Sequence, residues 1–467
     1  MNFYLIPENL DIDHLRKRFP IIDGFKCNIE HCLGVISLIN EMPESHPWVQ
    51  IHNGYVPLKG KILNKKYRGY KRYLDFLIKE KILEGDNHYV VNKKCKGYRF
   101  TLEYLTQIKK VPKNDHTDEL LYEQVDLTEE EFITHGHLIR FFNSGLEVDY
   151  DAAQSFLNWM KDESSIEYSV TGNEELLRQK RIRHQRSLVA LERCQQKRFR
   201  FGVGPKSNRL YTTLTTMPRE MRQFLKYKGE RLVGYDLKNS QFFMLANLLR
   251  PSFWEPESHG KELINYENLN DKIKITINNK INNKSIMVDR LNDGEFKYER
   301  SCYEMWVSSG RLYRYLEKMH EFDNLIKMIE GPLFKADLIK GLFANNRFIG
   351  NCEPLKMFKK CFPQTYEVVS DFKRVAKKEF SHLLQQIESS IFLMIIAKKI
   401  TDEHPNVPFF TIHDNVVTVE RYASLVESIM KEEIKNQTGL EPSFGKEKWI
   451  PENAVTIYIK KHRPQID

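Results

Sequence analysis

The sequence predicts an α+β protein in which short buried strands are followed by longer helices. Residues 231–249 begin with an apolar run typical of a buried strand and continue with apolar residues at helical spacing. Residues 408–420 form two short β-type runs joined by a polar turn. Helical patterns dominate from residue 303 to about residue 400. The first strand ends at an aspartate, Asp236, and the turn between the later two contains another, His413–Asp414.

The length and composition bound the class of protein. A chain of 467 residues favours two or three domains, and 41% hydrophobic residues are enough for a real core. No apolar run approaches the ~18 residues of a membrane span, and the first residues lack the layout of a signal peptide. Seven cysteines without regular pairing suit a reducing compartment, so we expect a cytoplasmic protein without a membrane partner. A net charge of +9 suits a phosphate-backbone partner.

Residues 1–110 predict an N-terminal winged-helix-like domain. An amphipathic helix over 64–84 is followed by two β runs, His88–Val91 and Gly97–Thr101, with a basic tip between them that includes Lys94. In a winged helix the helix enters a groove of nucleic acid and the wing contacts phosphates. The alternative is a small packing module whose lysines are simply solvated.

The middle of the chain changes composition several times. Residues 111–135 are polar and acid-rich, which predicts a linker that ends in a helix start near Asp126, and residues 136–200 predict a mainly helical region. Nine basic residues and one acid lie between Arg178 and Arg200. This bias favours a helix that follows nucleic acid, with Arg183 and Arg186 as contacts, over an ordinary solvated face. Further on, residues 273–277 and 285–288 predict strands.

The two aspartates suggest metal-assisted chemistry. Carboxylates presented by two rigid elements can hold two cations that activate a 3′-hydroxyl and neutralise a triphosphate. The alternatives are structural, since Asp236 could cap the following helix and Asp414 could cap its turn.

Blocks in a fixed order resemble the right-hand polymerase domain of family A DNA polymerases and of the related phage-type single-subunit RNA polymerases. The likeness spans about residues 200–420. This chain departs from the family pattern at three places: at Gly331, where the family has an arginine, at the pair Phe343–Ala344, and at Asn415. The blocks are Ser207–Thr213, Pro218–Leu225, Asp236–Gln241 (motif A), Lys335–Ala344 (motif B), Gln385–Ser390 and Thr411–Thr418 (motif C).

This resemblance implies a fold and a division of the chain. The fold is a right hand with palm, fingers and thumb behind the winged-helix-like domain. The implied regions are a helical thumb at 136–200, a palm at 201–255 with motif A, fingers at 256–374 with motif B and an Asn/Lys-rich insertion, and a second part of the palm at 375–467 with motif C.

The resemblance also implies roles for individual residues. Asp236, Asp414 and the Leu237 carbonyl would hold two Mg²⁺ ions, with Mn²⁺ as an alternative. Lys335 would face the triphosphate, and Phe343 would stack near the base or sugar. The structural alternatives are a lysine that is simply solvated and a phenylalanine that only packs in the core. Lys340 or Arg347 would replace the arginine that is missing at Gly331. His413 and Gln386 would contact nucleic acid. Arg209 and Arg222 would contact the primer–template or brace the carboxylates.

The implied activity is template-directed DNA synthesis with dNTPs on a primer. Gln241 is bulky where DNA-making relatives carry a bulky glutamate, and Phe343 lacks the tyrosine hydroxyl of RNA-making relatives. Nothing in residues 1–120 resembles a proofreading exonuclease. By analogy the chain would belong to a phage or mobile element and could use an accessory replication protein. The alternatives are a primase or single-subunit RNA polymerase using NTPs, and a non-catalytic DNA-binding initiator or defence protein on the same fold.

Overall fold

The computed structural model describes residues 3–19, 28–45, 53–86, 95–113, 127–255, 263–269, 271–280, 284–323 and 331–462. Within these residues the chain combines helices with antiparallel sheets, so the predicted mixture of α and β structure is confirmed.

The N-terminal region has its own hydrophobic core, built from residues between Tyr4 and Leu105. Two antiparallel sheets flank it: β1 pairs with β5, and a second sheet has the strand order β2-β4-β3. The elements are β1 (Phe3–Pro7), α1 (Ile12–Arg18), α2 (Ile29–Ser45), β2 (Val56–Pro57), α3 (Gly60–Lys66), α4 (Tyr70–Lys79), β3 (Leu83–Gly85), β4 (Gly97–Phe100) and β5 (Ile108–Pro112).

The predicted helix over 64–84 was wrong in its extent. Gly69 has φ +78°, a left-handed conformation that glycine adopts without strain, and it separates α3 from α4. The last residues of the prediction form β3, which pairs with β4. The predicted strand Gly97–Thr101 is confirmed as β4, whereas His88–Val91 and Lys94 lie outside the described residues.

An antiparallel sheet forms the floor of the central region. Its strands follow the order β11-β12-β10-β9-β6, and β13 also pairs with β10. The predicted helix start after residue 126 is confirmed by the capping box of Thr128 and Glu131. The elements before and within the first part of this sheet are α5 (Glu129–His135), α6 (Phe142–Gly145), β6 (Leu146–Val148), α7 (Tyr150–Thr171), α8 (Glu174–Gln195), β7 (Phe201–Val203), β8 (Leu210–Thr212), α9 (Thr213–Thr216), α10 (Arg219–Arg222), β9 (Leu225–Tyr227) and β10 (Glu230–Leu237).

A largely helical segment follows and returns to the sheet near the C-terminus. The predicted helical pattern over 303–400 is confirmed for its described residues. The elements are α11 (Ser240–Leu248), α12 (Pro251–Trp254), α13 (Asp271–Lys280), α14 (Lys284–Leu291), α15 (Gly294–Ser308), α16 (Leu312–Asp323), α17 (Gly331–Phe343), α18 (Glu353–Cys361), α19 (Pro363–Ser389), a π-helical segment (Ser390–Ile396), α20 (Ala397–Glu403), β11 (Phe409–Ile412), β12 (Asn415–Val419), α21 (Ala423–Thr438), β13 (Phe444–Lys448) and α22 (Glu452–His462).

The strands predicted at 273–277 and 285–288 were wrong, because both stretches lie in helices, α13 and α14. Alternating isoleucines suggested a strand, but Ile277 is buried in the main core while Ile275 is 60% exposed. Packing of one helical face against the core has overridden the local β preference of these residues.

One stretch of the described residues, Ala376–Glu403, is long and apolar enough in length and composition to cross a membrane. It runs from within α19 through the π-helical segment into α20, and 67% of its apolar window is buried inside the protein. Leu383, Leu384 and Ile387 are completely buried in the main core. This is the burial of a core helix.

Several basic residues of α8 bond to other parts of the protein. Arg178 and Arg181 donate to the carbonyls of Phe100 and Leu102 in the N-terminal region, at 2.8 and 3.0 Å. Arg183 lies against the completely buried Glu220, and its Nη2 donates to Oε2 at 2.6 Å.

Arg183 thus has a role in folding through Glu220, and its contact with nucleic acid stays a prediction. The acid and carbonyl partners of α8 are distant in sequence, so the run of basic residues looked unpaired. Lys197 and Arg198, beyond the end of α8, are the exposed members of the run. Arg186 is partly buried and lines a cavity between α8 and the N-terminal region, and its role stays a prediction.

His184 makes the stability of the α7–α8 pair sensitive to acid. Its ring is 8% exposed and bonds to the Leu157 backbone, and burial lowers its pKa from 6.5 to about 4. The folded state therefore keeps His184 neutral, while the unfolded chain takes up its proton near pH 6.5. Stability from this group is complete above pH 6.5 and falls by about 3 kcal/mol towards pH 4.

We expect His184→Asn to flatten this acid dependence, because the amide can still donate to Leu157 but does not titrate. Urea unfolding between pH 7.5 and pH 4.5 measures the slope. The control is His404→Asn, at a partly exposed helix end, which should keep the wild-type slope. Parallel curves for His184→Asn and the wild type would contradict the assignment.

Candidate active site

Two adjacent strands bring Asp236 and Asp414 together. Strand β10 pairs antiparallel with β12, and Asp236 lies opposite Asn415, the residue that follows Asp414. The backbone N–H of Leu237 donates to the Asp414 carbonyl at 3.1 Å. His413, with φ +57°, makes the tight turn that ends β11 and presents Asp414. The predicted juxtaposition of the two strand ends is thus present in the fold.

The surroundings of Asp236 and Asp414 disfavour the charged form of both carboxyl groups. Burial and, after it, the nearby Asp414 carboxylate raise the pKa of Asp236 to about 7, and the positive charge of Lys335 opposes this shift. Burial likewise raises the pKa of Asp414. Asp236 still reaches solvent, and we call the solvent-facing space in front of Asp236 and Asp414 the cleft. A cation bound between two such neighbouring carboxylates would stabilise their charged forms.

The donor set fits Mg²⁺ better than a metal that needs a full protein cage. Among the described residues, no group of three or more His, Cys, Asp or Glu side chains could hold an ion. Mg²⁺ is commonly bound through one or two carboxylates, with water and phosphate oxygens completing its shell. Asp236 and Asp414 would hold it, and the Leu237 carbonyl next to them is the predicted third ligand.

Motif B lies over the same cleft. Lys335 is exposed on α17, and its positive charge acts on both Asp236 and Asp414. Its Nζ lies 5.2 Å from the ring centroid of Tyr313. Tyr313 on α16 was missed by the sequence reasoning, although both aspartates help to raise its pKa, after burial as the main cause. No local pattern marks this tyrosine, because it belongs to a separate helix.

The other two motif B candidates, Lys340 and Phe343, contact aromatic rings. Lys340 is exposed, and its Nζ is 5.2 Å from the Phe348 ring. Phe343 packs against the main core and is 6.3 Å from Phe380 between ring centroids. Phe343 therefore has at least the core-packing role that the sequence left open.

A buried glutamate, Glu388, completes the floor of the cleft. It is 1% exposed near the end of α19, and its Oε2 accepts from Arg209 at 2.7 Å and from Gln241 at 2.6 Å. Burial raises the pKa of Glu388 to about 7, and Arg209 opposes the shift. The sequence reasoning identified the block 385–390 but missed this residue. An acid between apolar residues on the buried face of a helix is the signal that could have found it.

Most of the residues near the cleft that were predicted to contact nucleic acid form hydrogen bonds with other groups of the protein. Arg209 donates to Glu388, whereas the predicted brace was for Asp236 and Asp414, so its predicted roles stay predictions. Arg222 donates to the carbonyls of Met217 and Thr215, and burial lowers its pKa to about 10. Gln386 is 3% exposed and donates to the Lys206 carbonyl at 2.8 Å.

His413 is held as a neutral ring beside the carboxylates. Burial lowers its pKa to about 3, and the charges of Arg209 and Arg222 contribute. Its ring lies 5.7 Å from Tyr211, and its Nδ1 is buried without a partner among the described residues. A neutral imidazole can offer one donor and one acceptor to a ligand.

Comparison with known proteins gives little further. No family model matches the chain, and no curated protein matches it. Among solved structures it is similar to the POL domain of Pol1 from M. smegmatis, solved with DNA primer-template and dNTP. The identity is 12%, the match covers 68% of this chain and 70% of that one, and the TM-score is 0.36. Because so low a TM-score does not establish a shared fold, the site itself has to support a function.

Proposed function

We propose that this chain is a nucleotidyltransferase that extends a primer 3′-hydroxyl on a DNA template, using dNTPs. The observation that carries the proposal is the placement of Asp236 and Asp414 side by side at the ends of β10 and of the β11–β12 turn, with Lys335 facing them. Carboxylates and a cation on opposite sides of one cleft suit a metal-bound triphosphate.

Each residue then has a distinct task. Asp236 and Asp414 would hold two Mg²⁺ ions, and these ions would supply activation of the 3′-hydroxyl and neutralisation of charge on the departing pyrophosphate. Lys335 offsets charge on the phosphates. His413, neutral and short of a partner, accepts or donates a hydrogen bond at the primer end. In this proposal the sheet is the palm, the helices over 256–374 are the fingers, and the helical region 136–200 is the thumb.

We also propose that the N-terminal region contacts DNA as a winged helix. The order α2, β2, α3, α4, β3, β4, together with the strand order β2-β4-β3, supports this proposal. The connection between β3 and β4, which includes Lys94, would be the wing.

A primer-extension assay tests the activity. A labelled primer on a DNA template is incubated with Mg²⁺ and either dNTPs or NTPs, with Asp414→Ala protein as the blank. Extension with dNTPs that the blank lacks is the expected result. Product from NTPs alone would favour the RNA-synthesising alternative and overturn the sugar assignment. No product from either pool, alongside DNA binding, would leave the non-catalytic DNA-binding protein.

A further inference from the structure

Gln241 is fixed in place by a carboxylate from a different part of the chain. Its Nε2 donates to Oε2 of Glu388 at 2.6 Å, from the first turn of α11 to the end of α19. The same oxygen accepts from Arg209 at 2.7 Å and from the Ser240 hydroxyl at 3.3 Å. Three donors on one oxygen define the position of the Glu388 side chain, and with it that of Gln241.

The remaining atoms of this cluster are short of partners. Oε1 of Gln241, Oε1 of Glu388 and Nε of Arg209 are buried and have no hydrogen-bond partner within the described part of the chain. Leaving buried polar atoms unpaired is costly, and such atoms concentrate where a ligand supplies the partner. A buried acid is also a poor choice for packing alone, since an apolar side chain of similar volume fills the space without desolvating a charge.

We propose that Glu388 is a positioning residue that holds Gln241 in the orientation that excludes the 2′-hydroxyl of a ribonucleotide. This inference rests on the polymerase function proposed above. Gln241 lies in the first turn of α11, which follows the end of β10 and its Asp236 after only two residues. A free glutamine side chain has several rotamers, whereas one tied at Nε2 keeps its bulk in a single place. Glu388 itself does not touch the nucleotide.

The pair also explains why position 241 holds an amide. A carboxylate there would lie 2.6 Å from the Glu388 carboxylate, with Asp414 close enough to raise the pKa of Glu388 as well. Like charges that close cannot both be ionised. An amide opposite an acid satisfies both groups, and the roles can be exchanged between the two positions with the hydrogen bond and the net charge retained.

The test measures selectivity rather than activity alone. Single-nucleotide insertion with a dNTP and with the matching NTP gives the ratio of the two kcat/KM values. Losing a hydrogen bond to a charged group should lower the dNTP/NTP ratio about tenfold or more in Glu388→Met. In the Gln241→Ala background, where there is no amide to hold, Glu388→Met should leave the ratio unchanged. The matched control is Glu403→Met at the exposed end of α20, which should behave as the wild type.

An exchange variant keeps the test decisive if Glu388→Met does not fold. Gln241→Glu alone should lose selectivity through repulsion, and Gln241→Glu combined with Glu388→Gln should restore the ratio to within a few fold of the wild type. If the exchange restores nothing, or if Glu388→Met lowers the ratio equally in both backgrounds, the positioning role is wrong. Failure of the wild type to extend any primer would instead refute the proposed function.

Discussion

Replacing Asp414 by asparagine is expected to lower primer extension by roughly a thousandfold or more, because a metal site contributes several kcal/mol to the transition state. The substitution preserves shape and removes one negative charge beside Asp236. We expect the same loss for Asp236→Asn, since the two carboxylates act on one set of ions. Extension rates at saturating dNTP and varied Mg²⁺ give the effect.

The fold should survive these changes. Burial raises the pKa of both carboxyl groups, and the Asp414 carboxylate also raises the pKa of Asp236. Removing the Asp414 charge therefore relieves repulsion in the metal-free protein. We therefore expect Asp414→Asn to unfold at the same temperature as the wild type or higher. The control is Asp402→Asn, on the exposed face of α20. Full extension by Asp414→Asn would contradict the metal-binding role of Asp414, on which the proposed function rests.

Replacing Arg183 by methionine is expected to lower the free energy of unfolding by about 3–5 kcal/mol, the usual cost of breaking a buried ion pair. Glu220, its partner, has no exposed surface, so the change would take the Arg183 guanidinium away from a carboxylate that stays buried. The pair also joins α8 to α10, which immediately precedes strand β9 of the sheet. Chemical denaturation near pH 7 measures the loss.

The matching variant is Lys197→Met, at an exposed position beyond the end of α8. It should change stability by less than ~0.5 kcal/mol, as surface substitutions commonly do. DNA affinity, measured by fluorescence anisotropy under conditions in which both variants are folded, should be unaffected by Arg183→Met. If Arg183→Met protein is stable and binds DNA more weakly than the wild type, the predicted contact of Arg183 with nucleic acid would be supported instead.

Local patterns predicted much of the central region because its signals are contained in short stretches. A buried strand that ends in Asp236, a polar turn at Asp414 and a helix that carries Lys335 can each be recognised within about ten residues. The helix start after residue 126 is likewise a local signal, since the capping box of Thr128 and Glu131 involves neighbours in sequence. The order of these blocks along the chain, rather than any single one, pointed to a common cleft.

The errors and omissions arose where the deciding contact is distant in sequence. The alternating isoleucines of 273–277 suit a strand by local preference, yet packing of Ile277 into the core makes the segment a helix. The basic run along α8 looked like a solvated or nucleic-acid-binding face. Its partners, among them Glu220 and the carbonyl of Phe100, come from elements that the local sequence cannot reveal.

The sequence by itself determined the chemical groups of the candidate site and the elements that bear them, because strand and helix periodicity and turn composition are local properties. The tertiary structure alone decided which charges are used for folding and which remain in the cleft. It paired Arg183 with Glu220, and it placed Glu388 beneath Gln241. The physical reason is that a charge becomes costly only when it is buried, and burial depends on which distant elements pack together.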